Sequence, residues 1–282
     1  METQIGSTQT AHQNNATFKS DRPVSPDEPR WGVPTALSIW VASVAAILLF
    51  PFLFVVIYAL ATGMDLGDRG ELTIFATKDP TGVFVQLLGA IPAHLLTLAL
   101  ALAVVTGMGK YRFTDAVGWH NGWVRIWHYA AFTVGFWILA ILVLSFFPEK
   151  EDEITRIIKS SRPALYLLSA IAVITAPIVE ELVYRGMIFS AFLKRYGMAT
   201  AVLVATVLFT VVHIPQYLEN PAKIFVLLLL SLLLTLLRAS TGSLLPSVIL
   251  HAIINGTQTA FLLLEPYVIG TAPEENLINL FK

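Results

Sequence analysis

The chain contains no cysteine. Disulfides, thiolate metal sites and a cysteine nucleophile are therefore excluded. Charge is nearly as scarce: Asp, Glu, Lys and Arg make up 13% of the 282 residues, against roughly 25% in an average soluble protein. The charges almost cancel, at a formal net charge of -1, and such a balance gives no footing for a nucleic-acid partner. Also missing is a signal-peptide pattern. Residues 1–30 are rich in Ser, Thr, Gln, Asn, Asp and Pro and hold no short apolar core beside a cleavage site, so they read as a disordered tail.

What the chain does have is apolar length. Hydrophobic residues account for 56% of it, and the mean hydropathy is +0.71. A hydrocarbon layer about 30 Å thick needs about 20 apolar residues per helix. Runs of that kind fall at 36–62, 82–107, 126–148, 163–195, 198–217, 221–238 and 242–264. The expected fold is thus all-α, a polytopic transmembrane helical bundle of about seven to eight helices in a lipid bilayer, with the cell membrane the expected location. Residues 31–160 would form the N-terminal helices, 161–264 the helices bearing the polar residues discussed next, and 265–282 a C-terminal tail. The mixed-charge segment 149–162 reads as a solvated or interfacial helix. Trp119, Trp123 and Trp127, at i, i+4 and i+8, would share one helical face at the membrane surface. Counting Lys and Arg by loop puts ten on the tail side and eight on the other, which leaves the orientation open.

A charge at the centre of a membrane helix costs at least about 2.5 to 3.5 kcal/mol on insertion scales, so each needs a reason. From Pro163 to Leu264 the ionisable or strongly polar residues well inside the spans are Glu180, Glu181, Arg185, His213, His251 and Asn255. Glu181 and Arg185 stand at i, i+4 with the acid first, so they can pair along one face. Glu180 is turned about 100° away and meets Tyr184 at i+4, so it is left to face something else. Helix lengths put the rest at its level. Glu180 lies about 16 residues before the Gly197 hairpin and His213 about 16 after it, roughly 24 Å along each axis. His251 and Asn255 lie about 10 and 14 residues past the Gly242 turn and approach the same depth. Phe209 shares a face with His213, as His251 does with Asn255. His94, in "IPAHLLTL", reads as a packing residue bonded to a neighbouring carbonyl.

A carboxylate beside an imidazole in a low-dielectric pocket can take a proton from water. A second imidazole and a carboxamide can hold a developing oxyanion. Together these parts fit amide hydrolysis by activated water. Glu180, His213 and His251 are also a possible zinc set with a fourth position for water. From the residues alone both versions stay open, zinc-bound and metal-free with no cofactor required; asparagine, a rare zinc ligand and a good oxyanion donor, suits the second.

Three motifs occur in order: "EELVYR" at Glu180 to Arg185 (EExxxR), "FTVVH" at Phe209 to His213 (FxxxH) and "HAIIN" at His251 to Asn255 (HxxxN). On these residues the chain resembles the CPBP family of intramembrane proteases, which includes type II CAAX prenyl endopeptidases and the bacterial Abi group. The resemblance covers about 163–260. It implies that Glu180 and His213 activate water, that His251 and Asn255 stabilise the oxyanion, and that Glu181, Arg185 and Phe209 support the site. The implied partner is a membrane-associated peptide or protein substrate, CAAX-type prenylated ones included. Two other readings of the same residues are a non-enzymatic immunity or scaffold protein of this fold, and a proton-coupled transporter, for which no internal repeat is found.

Overall fold

The computed structural model describes residues 25–148 and 150–268, apart from the side chains of 265–268. Residues 1–24 of the expected tail, Glu149 and residues 269–282 lie outside the described residues. Among the described residues, seven helices are long and apolar enough to cross a bilayer, and the chain is an all-α, multi-pass integral membrane protein. The spans are α1 (Val33–Thr62), α3 (Pro80–Val105), α5 (Ile126–Ser145), the composite helix 162–196, α10 (Met198–His213) with its 3-10 extension Ile214–Tyr217, α11 (Pro221–Thr241) and α12 (Leu245–Val268). Short helices connect them: α2 (Arg69–Lys78), α4 (Phe113–Val117) and α6 (Glu153–Ser160). The last helix runs to Val268, past the boundary expected at 265.

The composite span is not one regular helix. It runs as α7 (Arg162–Ala170), a π segment Ile171–Thr175, α8 (Ala176–Glu181), a second π segment Leu182–Ile188, and α9 (Phe189–Tyr196). Pro177 accounts for part of this, since it has no N–H to return to the preceding turn. The Ala176 N–H reaches back five residues to the Ile171 carbonyl, and the Ala172 carbonyl is left without its regular donor. Glu180 and Glu181 sit at the junction between α8 and the second π segment. Single-turn π insertions of this kind are frequent at functional sites.

α1 and α3 lie side by side, and their approach depends on Gly89: a Cβ there would stand 2.5 Å from the Cα of Pro51. Both helices pack against the second π segment. The stretch just before α1 is also docked. Trp31 is buried and its indole N–H donates to the Met187 carbonyl at 3.1 Å. Arg238 donates to the Pro26 carbonyl (3.2 Å) and stands 3.5 Å from Asp27, while Lys194 donates to the Pro29 carbonyl (3.0 Å). Residues 25–30, assigned by composition to a disordered tail, are therefore folded against the helices that carry the motifs.

The expected interfacial helix in 149–162 is α6. Its attachment is polar: buried Asp152 accepts from the Thr155 N–H and hydroxyl (2.8 and 2.7 Å), from the Asn220 amide (2.8 Å) and from Lys223 Nζ (2.8 Å). Asn220 completes the clasp by bonding both backbone groups of Lys150. The three tryptophans, by contrast, do not share a helix. α4 ends at Val117, Gly118 and Gly122 take positive φ (68° and 58°), and the turn is tied to Ser243, whose hydroxyl donates to the Gly118 and His120 carbonyls. Only Trp127 is helical, although all three indoles are exposed. Spacing at i+4 implies a shared face only where no glycine turns the chain.

Candidate active site

Glu180, on the last turn of α8, carries the site's partly exposed carboxylate. Its Oε1 faces His213 Nε2 at 4.0 Å and its Oε2 faces His251 Nε2 at 3.9 Å. Neither is a direct hydrogen bond. Separations of this size are the kind a shared water fills. His213 is the last residue of α10, and His251 lies in the second turn of α12, so the depth match read from helix lengths holds for all three.

Each imidazole is oriented from behind. His213 Nδ1 donates to the Phe209 carbonyl at 2.7 Å, and His251 Nδ1 donates to Glu181 Oε1 at 2.9 Å. Both rings therefore present Nε2 to Glu180. Glu181 thus does more than pair with Arg185. The same Oε1 accepts Arg185 Nη1 at 2.8 Å, so one fully buried carboxylate holds both the arginine and the second histidine. Its Oε2 is buried without a partner among the described residues. Arg185, also fully buried, donates to the Ser231 carbonyl and hydroxyl (2.9 and 2.8 Å) and to Thr235 (3.2 Å) on α11. Its guanidinium lies 4.6 Å from the Phe209 ring centroid. Phe209 in turn packs against His213 and Tyr184, so the aromatic residue of the second motif lies between the arginine of the first and the imidazole.

Asn255 lines the same cavity, and its Nδ2 donates to the Ala172 carbonyl at 2.8 Å. That carbonyl is the one orphaned by Pro177. The bond fixes the amide plane and leaves a second N–H on the same nitrogen for another acceptor.

The four residues open onto a cavity of about 830 Å³ with mainly apolar walls. It extends between α1, α3, α5 and α12 to α6, which contributes Ile154, Ile157 and Ile158. His94 belongs to this wall too, and the sequence reading set it aside. Its Nδ1 bonds the Thr175 hydroxyl at 2.8 Å, not a carbonyl, and the ring stands at the cavity beside Glu180. No motif marks it; only the α3 contact with the composite helix brings it there.

Tetrahedral zinc with bonds of about 2.0 to 2.1 Å needs ligand atoms roughly 3.3 Å apart. At 4.0 and 3.9 Å the Glu180–His213 and Glu180–His251 pairs are wider than that, and among the described residues no three His, Asp or Glu side chains form a metal-holding group. In this arrangement the residues do not fit the zinc set considered from sequence.

No curated protein and no solved structure matches the chain significantly. Residues 162–257 match the family model described as type II CAAX prenyl endopeptidase Rce1-like. That interval runs from the first residue of α7 to the turn of α12 just beyond Asn255, and so contains all three motifs. Through this segment the chain is similar to the CAAX-type protease family that the model describes.

Proposed function

We propose that the protein is an intramembrane endopeptidase of the cell membrane that hydrolyses a peptide bond in a membrane-associated substrate by water activated at Glu180. The observation that carries this reading is the placement of the Glu180 carboxylate between two Nε2 atoms at the wall of a large apolar cavity. A carboxylate so placed can accept a proton from water while His213 orients it. The water oxygen attacks the carbonyl carbon, and the resulting oxyanion is held by the free N–H of Asn255 and by the His251 ring, which Glu181 holds from behind at Nδ1. The proton held by Glu180 then passes to the amide nitrogen as the C–N bond breaks. One water is consumed, and an acid and an amine are formed. The apolar cavity fits a lipidated or strongly apolar segment next to the cleaved bond, and a prenylated CAAX-type C-terminus is one substrate of that chemistry.

The test uses purified protein in proteoliposomes with C-terminal peptides, prenylated and not, with and without a chelator. Cleavage by the wild type that survives chelation, and falls by about 10²- to 10⁴-fold in Glu180→Ala and in His213→Ala, is the expected result. Cleavage retained in both variants would sink the reading. Loss of wild-type cleavage on chelation would move the water to a metal instead.

A further inference from the structure

A second, smaller space borders the site. This side chamber, about 110 Å³, lies between α1, α3 and the helices bearing Glu180 and His213. Glu180, His213 and His94 line both it and the large cavity. Its own walls add the hydroxyls of Ser43, Thr97 and Tyr184. A buried water needs roughly 10 to 15 Å³ and two to four polar partners, so this space has room and partners for several. The hydroxyls are prepared for that task. Ser43 donates to the Trp40 carbonyl at 2.7 Å, which leaves its lone pairs to accept. Tyr184 accepts the Trp40 indole N–H at 3.1 Å, which leaves its own proton to give.

His94 has a fixed role in this arrangement. Its Nδ1 is taken up by the Thr175 hydroxyl at 2.8 Å. In either tautomer, Nε2 is the nitrogen left for the two spaces. Hydrolysis consumes one water per turnover, yet an apolar substrate in the large cavity displaces water from that side. The supply must come from elsewhere.

We propose that the side chamber is the water store of the site, and that His94 is the positioning residue that holds the water line next to Glu180. This rests on the hydrolytic reading above. α1 and α3 supply part of the chamber's walls, among them Ser43, His94 and Thr97, so it gives the motif-free half of the bundle a part in the reaction.

Two variants test it. His94→Asn keeps an N–H for Thr175 and removes Nε2; the Ser43→Ala, Thr97→Val double variant removes two hydroxyls at nearly constant shape. In proteoliposome assays each should lower kcat by about tenfold to a hundredfold with KM unchanged, as expected for a misplaced reactant. Unchanged kcat in both, or a rise in KM alone, overturns the chamber while leaving the protease standing. Failure of the wild type to cleave any substrate overturns the hydrolytic reading and the chamber with it. Should either variant misfold, radiolytic footprinting of the wild type decides: bound water should label Tyr184 and spare Phe189, both of which are buried. Equal silence at both rings overturns the proposal.

Discussion

Adjacent carboxylates in one membrane helix differ by what lies behind them. Glu180 is partly exposed, with its oxygens about 4 Å from two imidazoles, whereas Glu181 is fully buried and shares one oxygen between Arg185 and His251. Glu181 therefore carries the structural load. Removing one member of a buried ion pair leaves the other charge uncompensated, at a cost of about 3 to 5 kcal/mol. Glu181→Gln should lower thermal stability by that order and also release His251 from its fixed orientation, so unfolding and cleavage change together. Glu180→Gln, which breaks no direct hydrogen bond, should leave the unfolding transition within about 1 kcal/mol of wild type while cleavage is lost. Parallel thermal scans and cleavage assays of the two variants check the split; a larger stability loss in Glu180→Gln would reverse the assignment.

At the level of elements, the clasp between α6 and α11 is a pH-dependent joint. Burial on its own would raise the Asp152 carboxyl, but its bonds from Lys223 and Thr155 outweigh this and hold it below its ordinary 3.8. A depressed folded value means the stabilisation is complete above the unfolded value and is lost as pH falls through the folded one. α6 should therefore stay docked at pH 5 and above and loosen only below about pH 4, which hydrogen exchange of residues 153–160 would report; Lys223→Met should move the loosening to higher pH. A second joint is steric. Because Cβ of an alanine at 89 would meet Pro51 backbone, Gly89→Ala should separate α1 from α3 and cost about 1 to 3 kcal/mol by thermal unfolding. Neither joint was legible in the sequence, since each depends on a partner remote in the chain: Asn220 and Lys223 for Asp152, Pro51 for Gly89. The seven apolar spans and the shared depth of Glu180, His213 and His251 were legible, because hydropathy and the rise per residue are local quantities that add along a helix. The tryptophan face failed at Gly118 and Gly122, where the local rule ends. The π segments were hidden as well, and with them the orphaned Ala172 carbonyl that Asn255 bonds.

For the whole molecule, the proposed reaction would divide chemistry from recognition along the large cavity. Its inner end holds Glu180, His213, His251 and Asn255, and α6 contributes apolar side chains to the same wall from a connection outside the seven spans. α6 is amphipathic, with Ile154, Ile157 and Ile158 turned to the cavity and Lys159 paired outward with Glu151 at 3.3 Å. A substrate held along this wall would gain binding energy from α6 without any contact between α6 and the reacting bond. Such binding is the same in the ground and transition states, so its loss raises KM and leaves kcat in place. Each apolar side chain fully buried against a ligand is worth about 1.5 to 3 kcal/mol, an upper bound for partial contact. Replacing Ile154 and Ile157 together by serine should accordingly raise KM for a lipidated peptide by about tenfold or more, with kcat close to wild type. A peptide of the same sequence lacking the lipid should show little change, because it has no apolar group to place there. Steady-state cleavage of the matched pair measures both constants, and a fall in kcat for the unlipidated peptide would instead place α6 in the chemistry itself.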